Sequence, residues 1–324
     1  PDKQTINQFE VTGAGWVRPH VGPAVWGLVQ NKKKADYDWT MMDEYVEDFQ
    51  GAGLNILVTV WPFANWDQKN RTNANNCKVK ADDQFLPQPY EDDMPYLPQY
   101  RCNPNNWKKY NKWVRALVER YDGDGIDDMP DLAYGIKYWE ILNEPDLAEP
   151  VQQGKEDKDD EEEESLDFYQ QGYKAYYKLL RKTNRAIKKA DPEAKTLIAG
   201  AAGGGTGFLN FYENIFSKYK KAKKHFDIGN VHCISNDYYN NYNVKAYKRL
   251  LNKYKIRKNI WVTEAEAMVH ETREKNYTQT RKSTKKALNA GAKKIFYTRM
   301  VFGDKGYTSK WSKKKYKKII DKFN

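Results

Sequence analysis

Read from the N-terminus, the chain alternates short apolar runs with longer amphipathic stretches. Residues 54–63 are nearly all apolar, as expected of a strand buried on both faces. Residues 107–121 carry apolar side chains at 107, 110, 114, 117, 118 and 121, a helical stripe. The same rhythm predicts strands at 15–20, 136–143, 196–201, 228–234, 260–264 and 294–300, and helices at 39–51, about 166–190, 208–224, 243–254 and 277–290. Gly53 closes the first of these helices, and Asp191-Pro192 stops the one before strand 196–201. Strand and helix in alternation imply parallel βα units, and 324 residues are enough for one domain spanning 1–324.

Two of the strands stop at a carboxylate. One run reads Tyr138-Trp139-Glu140-Ile141-Leu142-Asn143-Glu144-Pro145 and the other Ile260-Trp261-Val262-Thr263-Glu264. Parallel barrel strands deliver both ends to one rim, where a carboxylate pair can do acid/base and nucleophilic work on a glycosidic bond. The bland alternative is a pair of exposed glutamates beside turns. Glu140, four residues before Glu144, shares its face but sits deeper, which suits a barrel-interior ion pair. Glu266, two beyond Glu264, is the rival for its role.

Asn143-Glu144-Pro145 ending one strand and Thr263-Glu264 ending another resembles the clan of retaining (β/α)8 glycoside hydrolases, clan A, with catalytic glutamates on strands 4 and 7. Residues 14–39, with Val17-Arg18 and Tyr37-Asp38-Trp39, are similar to the strand-2 region of that clan. Arg120-Tyr121-Asp122-Gly123-Asp124-Gly125 resembles its thermophilic, cellulase-like members. The resemblance implies a (β/α)8 TIM barrel and a retaining O-glycosyl hydrolase with Glu144 as acid/base and Glu264 as nucleophile. It further implies that Asn143 binds the sugar 2-OH, that Arg18 lies beside Glu264 and holds it ionised, and that His232 lines the neighbouring subsite. For Arg18 a core salt bridge with Glu140 is the competing role, and for His232 a purely structural one. Numbered this way, 15–20 is strand 2, strand 1 is expected before Pro1, and residues 1–14 read as a helix with polar flanks. The chain departs from the clan at Ile234, where many relatives carry Tyr, and in Phe296-Tyr297-Thr298-Arg299, where many end strand 8 in Trp. Tyr297 is the expected stand-in.

Trp61, Trp66, Asp67 and Gln68 follow strand 54–63, and Trp26 follows strand 15–20. Aromatic planes stack on sugar C–H faces and neighbouring amides and carboxylates bind hydroxyls, so these five are candidate substrate-binding residues, with core packing as the alternative for each. Cellulose-like β-1,4-glucan is the first expected substrate, cleaved internally. Xylan, mannan or exo-acting β-glycosidase chemistry follow, and a barrel that binds glycan without cleaving it is the reading from another class.

Charge changes the picture little. The net charge is +11, with lysine clusters at 32–34, 220–224 and 313–318, which reads as a solvated Lys-coated surface; a nucleic-acid partner would need a one-sided basic stripe that the sequence does not display. The Lys and Glu content resembles hyperthermophile usage. No run of about 18 apolar residues occurs, so no membrane span is expected, and the chain is expected to be secreted with its signal peptide removed.

Cys77 and Cys102 lie in one Pro-, Asn- and Asp-rich connection where a disulfide would restrain the segment, while Cys233, inside a strand, reads as a buried thiol. Four scattered histidines argue against a catalytic metal, and no cofactor is expected for catalysis. Asp122, Asp124 and Asp128 in the turn 122–128 resemble a calcium loop, so a structural Ca²⁺ competes there with a solvated turn. Residues 155–164, eight of them acidic, read as a loop at the rim that follows Glu144.

Overall fold

The computed structural model describes residues 3–79, 96–148, 168–202, 207–234, 240–266, 272–298 and 309–323. Seven strands form one parallel sheet in chain order: β1 (Trp16–Val17), β2 (Asn55–Val60), β3 (Tyr138–Ile141), β4 (Lys195–Ile198), β5 (Ile228–Cys233), β6 (Asn259–Ala265) and β7 (Ala292–Tyr297). Eight longer helices accompany them: α1 (Lys3–Thr12), α2 (Thr40–Gly51), α3 (Trp107–Glu119), α4 (Tyr173–Ala190), α5 (Asn210–Lys218), α6 (Val244–Lys253), α7 (Arg273–Ala290) and α8 (Lys310–Phe323). Helix α8 is absent from the sequence-based expectation: its lysines masked a stripe that buries Tyr316 and Ile319. The acidic run 155–164, Arg299 and Met300 lie outside the described residues.

Local sequence accounts for the helices. In α3 the residues Tyr110, Trp113, Val114, Leu117 and Val118 form one buried stripe, and the Asn106 side chain caps its start by accepting from the Lys109 N–H at 3.0 Å. Helix α7 ends at Gly291, whose φ of 112° is open to glycine and strained for other residues. Burial pins the strands in the same way. In β2, Ile56 and Val58 pack toward the helices, while Leu57 and Thr59 face the barrel interior.

The interior has two storeys. Its floor is an aromatic plug: Trp16 sits edge-on to Tyr138 (5.0 Å) and Trp261 (5.6 Å), Tyr138 and Trp261 stack at 28°, and Phe296, Leu57, Leu197 and Ile228 fill the rest. Above it stand the polar side chains of the site.

The ring of strands does not close by hydrogen bonds. Among the described residues β1 pairs only with β2 and β7 only with β6. Between the two free edges lies a cavity of about 370 Å³, lined by Phe9, Val17, Glu264, Leu288, Ile295 and Phe323 among others. Side chains still cross the gap, with Lys294 Nζ 3.8 Å from the Trp16 ring. Helices α1 and α8 pack on each other outside it. Within the stretch expected to be helical, Lys3–Thr12 is so, and the β1 edge stands where an eighth strand would pair.

Candidate active site

The site is built on strand ends. Arg18 follows β1 and fans its guanidinium across three acceptors: Nε donates to Glu140 Oε2 (2.6 Å), Nη1 to Glu264 Oε1 (2.7 Å) and Nη2 to Asn143 Oδ1 (2.6 Å). The ion pair with Glu140 and the contact with Glu264, alternatives in the sequence, are made together, because a guanidinium offers five N–H groups in a planar fork. Glu140, fully buried, is held further by Thr59 Oγ1 (2.7 Å) and Asn230 Nδ2 (2.6 Å).

Glu144 lies three residues past the end of β3, in a backbone that twice enters the left-handed region: φ is 70° at Leu142 and 37° at Glu144. Such conformations are costly for residues with a Cβ and cluster where a site needs them. Glu264 reaches the same point by a different device. The β5–β6 register runs Val231↔Val262 and then His232↔Glu264, so Thr263 is an extra residue, a β-bulge. Two successive side chains therefore face inward: Thr263 bonds His232 Nε2 (2.7 Å) and Asn230 Oδ1 (2.9 Å), and Glu264 bonds Arg18. The rival Glu266 accepts from Thr298 Oγ1 at 2.9 Å.

His232 joins the two halves. Its Nδ1 is 2.7 Å from Glu144 Oε1 and 3.6 Å from Glu264 Oε1. The ring is fully buried and lies against Gly200, where an added Cβ would come within 2.0 Å of Nε2. One oxygen of Glu144, one of Glu264 and Nδ1 or Nε2 of His232 all lie within 4.8 Å of each other. Two carboxylates and an imidazole are metal-ligand types, but a dication there would face the Arg18 guanidinium bonded to Glu264.

The environments push the two carboxyls apart. Burial, and then the charge of Glu264, raise the Glu144 pKa above the ordinary carboxylate range. Burial also acts to raise Glu264, but the opposing charges of His232 and Arg18 outweigh it and hold its pKa down to about 2. His232 is raised: burial alone lowers it, and both glutamates override that. One carboxyl is thus poised to hold a proton and its neighbour to stay ionised.

Other sequence candidates take different places. Trp26 is fully buried against Trp66, Tyr110 and Trp113, and the Trp66 indole N–H donates to the Gln30 carbonyl. Asp67 accepts from the backbone N–H of Asn105 and Asn106, and Gln68 bonds Ala64, Pro62 and Cys102 backbone groups. These four hold the segments beyond β2 together rather than lining a cleft; residues just past a strand can turn into the loop packing as readily as toward the rim. Trp61 is also fully buried, its indole N–H on the Val21 carbonyl and its ring against His20 and Phe168. Tyr297 points outward, bonding Thr284 and packing on Tyr316, since alternation in β7 gives the interior to Phe296. His232 has no open surface and meets the site through Glu144.

Two residues join the site unforeseen. His20 lies 3.9 Å from Glu264 Oε1 with its side chain 29% exposed, and burial followed by the Arg18 charge keeps its pKa down to about 4, though Glu264 pulls the other way. Its spacing of two from Arg18 was the available signal. Asp146, in the 3-10 turn Pro145–Ala148, accepts from the Ala202 N–H through Oδ2 (2.9 Å), while its buried Oδ1 has no hydrogen-bond partner among the described residues. Burial, then the charge of Glu144, raise its pKa to about 8.

Elsewhere, Cys77 and Cys102 form a disulfide and Cys233 is a buried free thiol. The Asp122, Asp124 and Asp128 carboxylates converge before β3, at the end of the barrel away from Glu144. Their oxygens already serve the turn: Asp128 accepts from Gly123 and Gly125 N–H, Asp122 from Asp124 and Asp124 from Ile126.

No family model and no curated protein matches this chain. Solved structures do. A glucosidase from Croceicoccus marinus superposes on 100% of this chain and 64% of its own, with TM-score 0.65 and 14% identity. A monomeric β-xylosidase from Caulobacter crescentus CB15 covers 97% of this chain and 63% of its own, with TM-score 0.63 and 14% identity. An endo-1,4-β-mannanase from Rhizomucor miehei covers 99% and 89%, with TM-score 0.58 and 13% identity. The chain spans less than two thirds of the length of the first two. At such identities the likeness is one of architecture: this chain folds as an α/β barrel of the TIM-barrel class, the fold these three enzymes share.

Proposed function

We propose that the protein is a retaining β-glycoside hydrolase that works by double displacement. The observation that carries the reading is the pair of buried carboxyls, oxygens within 4.8 Å, whose proton affinities are driven in opposite directions. Retaining enzymes need a short separation, about 5–5.5 Å between carboxyl groups, and inverting ones more. Ionised Glu264 attacks the anomeric carbon while protonated Glu144 gives its proton to the leaving oxygen. The glycosidic C–O bond breaks as the Glu264–carbon bond forms. Glu144, now a carboxylate, takes a proton from water, and that water displaces Glu264 from the same carbon. Asn143 is proposed to hold the sugar 2-OH, and no step calls for a cofactor.

The proposed substrate is a β-1,4-linked polysaccharide, glucan first, cut internally. An exo-acting β-glycosidase is the second reading, favoured by the burial of Trp26 and the packing of half-buried Trp66 against it and the Gln30 carbonyl, which takes two expected stacking platforms from a long cleft. The Cys77–Cys102 disulfide supports an oxidising compartment, hence secretion. For the acidic turn we propose that backbone N–H groups, rather than Ca²⁺, satisfy the carboxylates.

The test is product release from β-glucan, xylan, mannan and aryl β-glycosides, with anomeric configuration followed by NMR. Cleavage with retention is expected, together with a loss of at least about 10³-fold in both Glu264→Ala and Glu144→Ala. Inverted product, or full activity in either variant, would sink the assignment.

A further inference from the structure

The outer wall of the barrel carries a second feature, unrelated to the carboxyl pair. Tyr177, Arg181 and Arg185 recur every four residues on α4 and so occupy one face, one per turn. Against this face lie Tyr219, which caps the end of α5, and Lys224-His225 ahead of β5. Tyr177 and Tyr219 stack with centroids 4.0 Å apart at 12°, and His225 is 6.1 Å from Tyr177. Burial, then the charges of Arg185, Arg181 and Lys224, lower the His225 pKa.

Three acids of this stretch are engaged by other cations. Asp227 pairs with Lys188 (3.0 Å), Asp191 with Lys137 (2.9 Å) and Glu213 with Lys253. Arg181 Nε is buried and has no hydrogen-bond partner among the described residues. A guanidinium N–H withheld from water without an acceptor is costly. Among the described residues, three cations thus act on His225, beside the stacked tyrosine pair, and no ion pair to a carboxylate receives their charge.

We propose that this wall is a binding surface for an acidic polysaccharide, a glycan bearing carboxylate or sulfate groups, separate from the Glu144–Glu264 rim. Guanidinium forks take both groups bidentately, and two arginines one helical turn apart, ~5–6 Å, suit successive charges along a polymer. Single-stranded nucleic acid is disfavoured because bases stack on open aromatic faces, whereas Tyr177 and Tyr219 cover one another. The His225 end of the patch precedes β5 and so lies toward the end of the barrel opposite Glu264, which leaves the rim free while a chain is held.

Fluorescence anisotropy at fixed low salt tests this with the whole chain against polygalacturonate (carboxylate only), dextran sulfate (sulfate only), uncharged dextran and a DNA duplex. Binding to at least one acidic glycan and not to dextran is expected. The double variant Arg181→Gln/Arg185→Gln should weaken it about tenfold, and Glu264→Gln should leave it unchanged. Arg185→Gln alone, at an exposed position, repeats the test should the double variant not fold. The proposal fails if neither acidic glycan binds, if the arginine variants bind as tightly as wild type, or if the duplex outcompetes both glycans with the same arginine dependence. Because Glu264→Gln removes the nucleophile proposed above, its result separates failure of this wall from failure of the catalytic reading.

Discussion

The two storeys of the barrel interior are made by the same strands, yet they are opposite materials. A single residue separates Trp16 in the floor from Arg18 in the site, Tyr138 from Glu140, Ile228 from Asn230 and Trp261 from Thr263. The floor is held by ring contacts that tolerate shifts of a few tenths of an ångström. The upper storey is held by charge-assisted hydrogen bonds of 2.6–2.7 Å, each with one geometry. Stability is thus concentrated below and chemistry above, and a substitution in one storey should leave the function of the other readable.

Arg18→Met should break the contrast most severely. It leaves Glu140 and Glu264 buried without their cation, so both folding and activity are expected to fall, by about 3–5 kcal/mol in urea unfolding and to background in kcat. A stable variant with intact kcat would mean that the storey is not held by this guanidinium. Trp16→Ala opens the floor instead. It should cost about 2–4 kcal/mol of stability while kcat, measured well below Tm, stays within about threefold of wild type. A collapse of kcat at low temperature would show that the floor positions the rim.

Asp146→Asn sharpens the upper storey by pH. The folded protein raises the Asp146 pKa to about 8, from an ordinary value of 3.8, so ionising it opposes folding. Stability is fully present below the ordinary value and declines as pH climbs toward 8. Asparagine can still accept from Ala202 but does not ionise. The variant should therefore melt a few degrees higher than wild type at pH 8 and alike at pH 4. An equal gain at both pH values would assign the effect to packing.

Much of this was legible in the chain. The apolar runs located the seven strands of the described residues, most of them buried along nearly their whole length, and Asn143-Glu144-Pro145 and Thr263-Glu264 marked two strand ends through their resemblance to the clan. The missing parts are those that period-two reading cannot supply. Thr263 and Glu264 face one way only because a bulge spoils the alternation, and the left-handed turn at Leu142 and Glu144 re-aims the second carboxyl. Trp26, Trp66, Asp67 and Gln68 lie just past strands, where the sequence gives no direction for the side chain.

By itself, then, the sequence determined which residue types meet at the strand ends and that strands and helices alternate, since both are written in local patterns of apolar and charged positions. Only the tertiary structure decided that Arg18 serves Glu140, Asn143 and Glu264 at once, that Tyr297 looks outward, and that β1 and β7 leave a gap between them. The basic wall is of the same kind: Arg181, Arg185 and Lys224 are ordinary in a Lys-rich chain until helix α4 and the approach to β5 bring them together. Each of these depends on register, bulges and the packing of distant segments, which are set by contacts between parts of the chain that no local window contains.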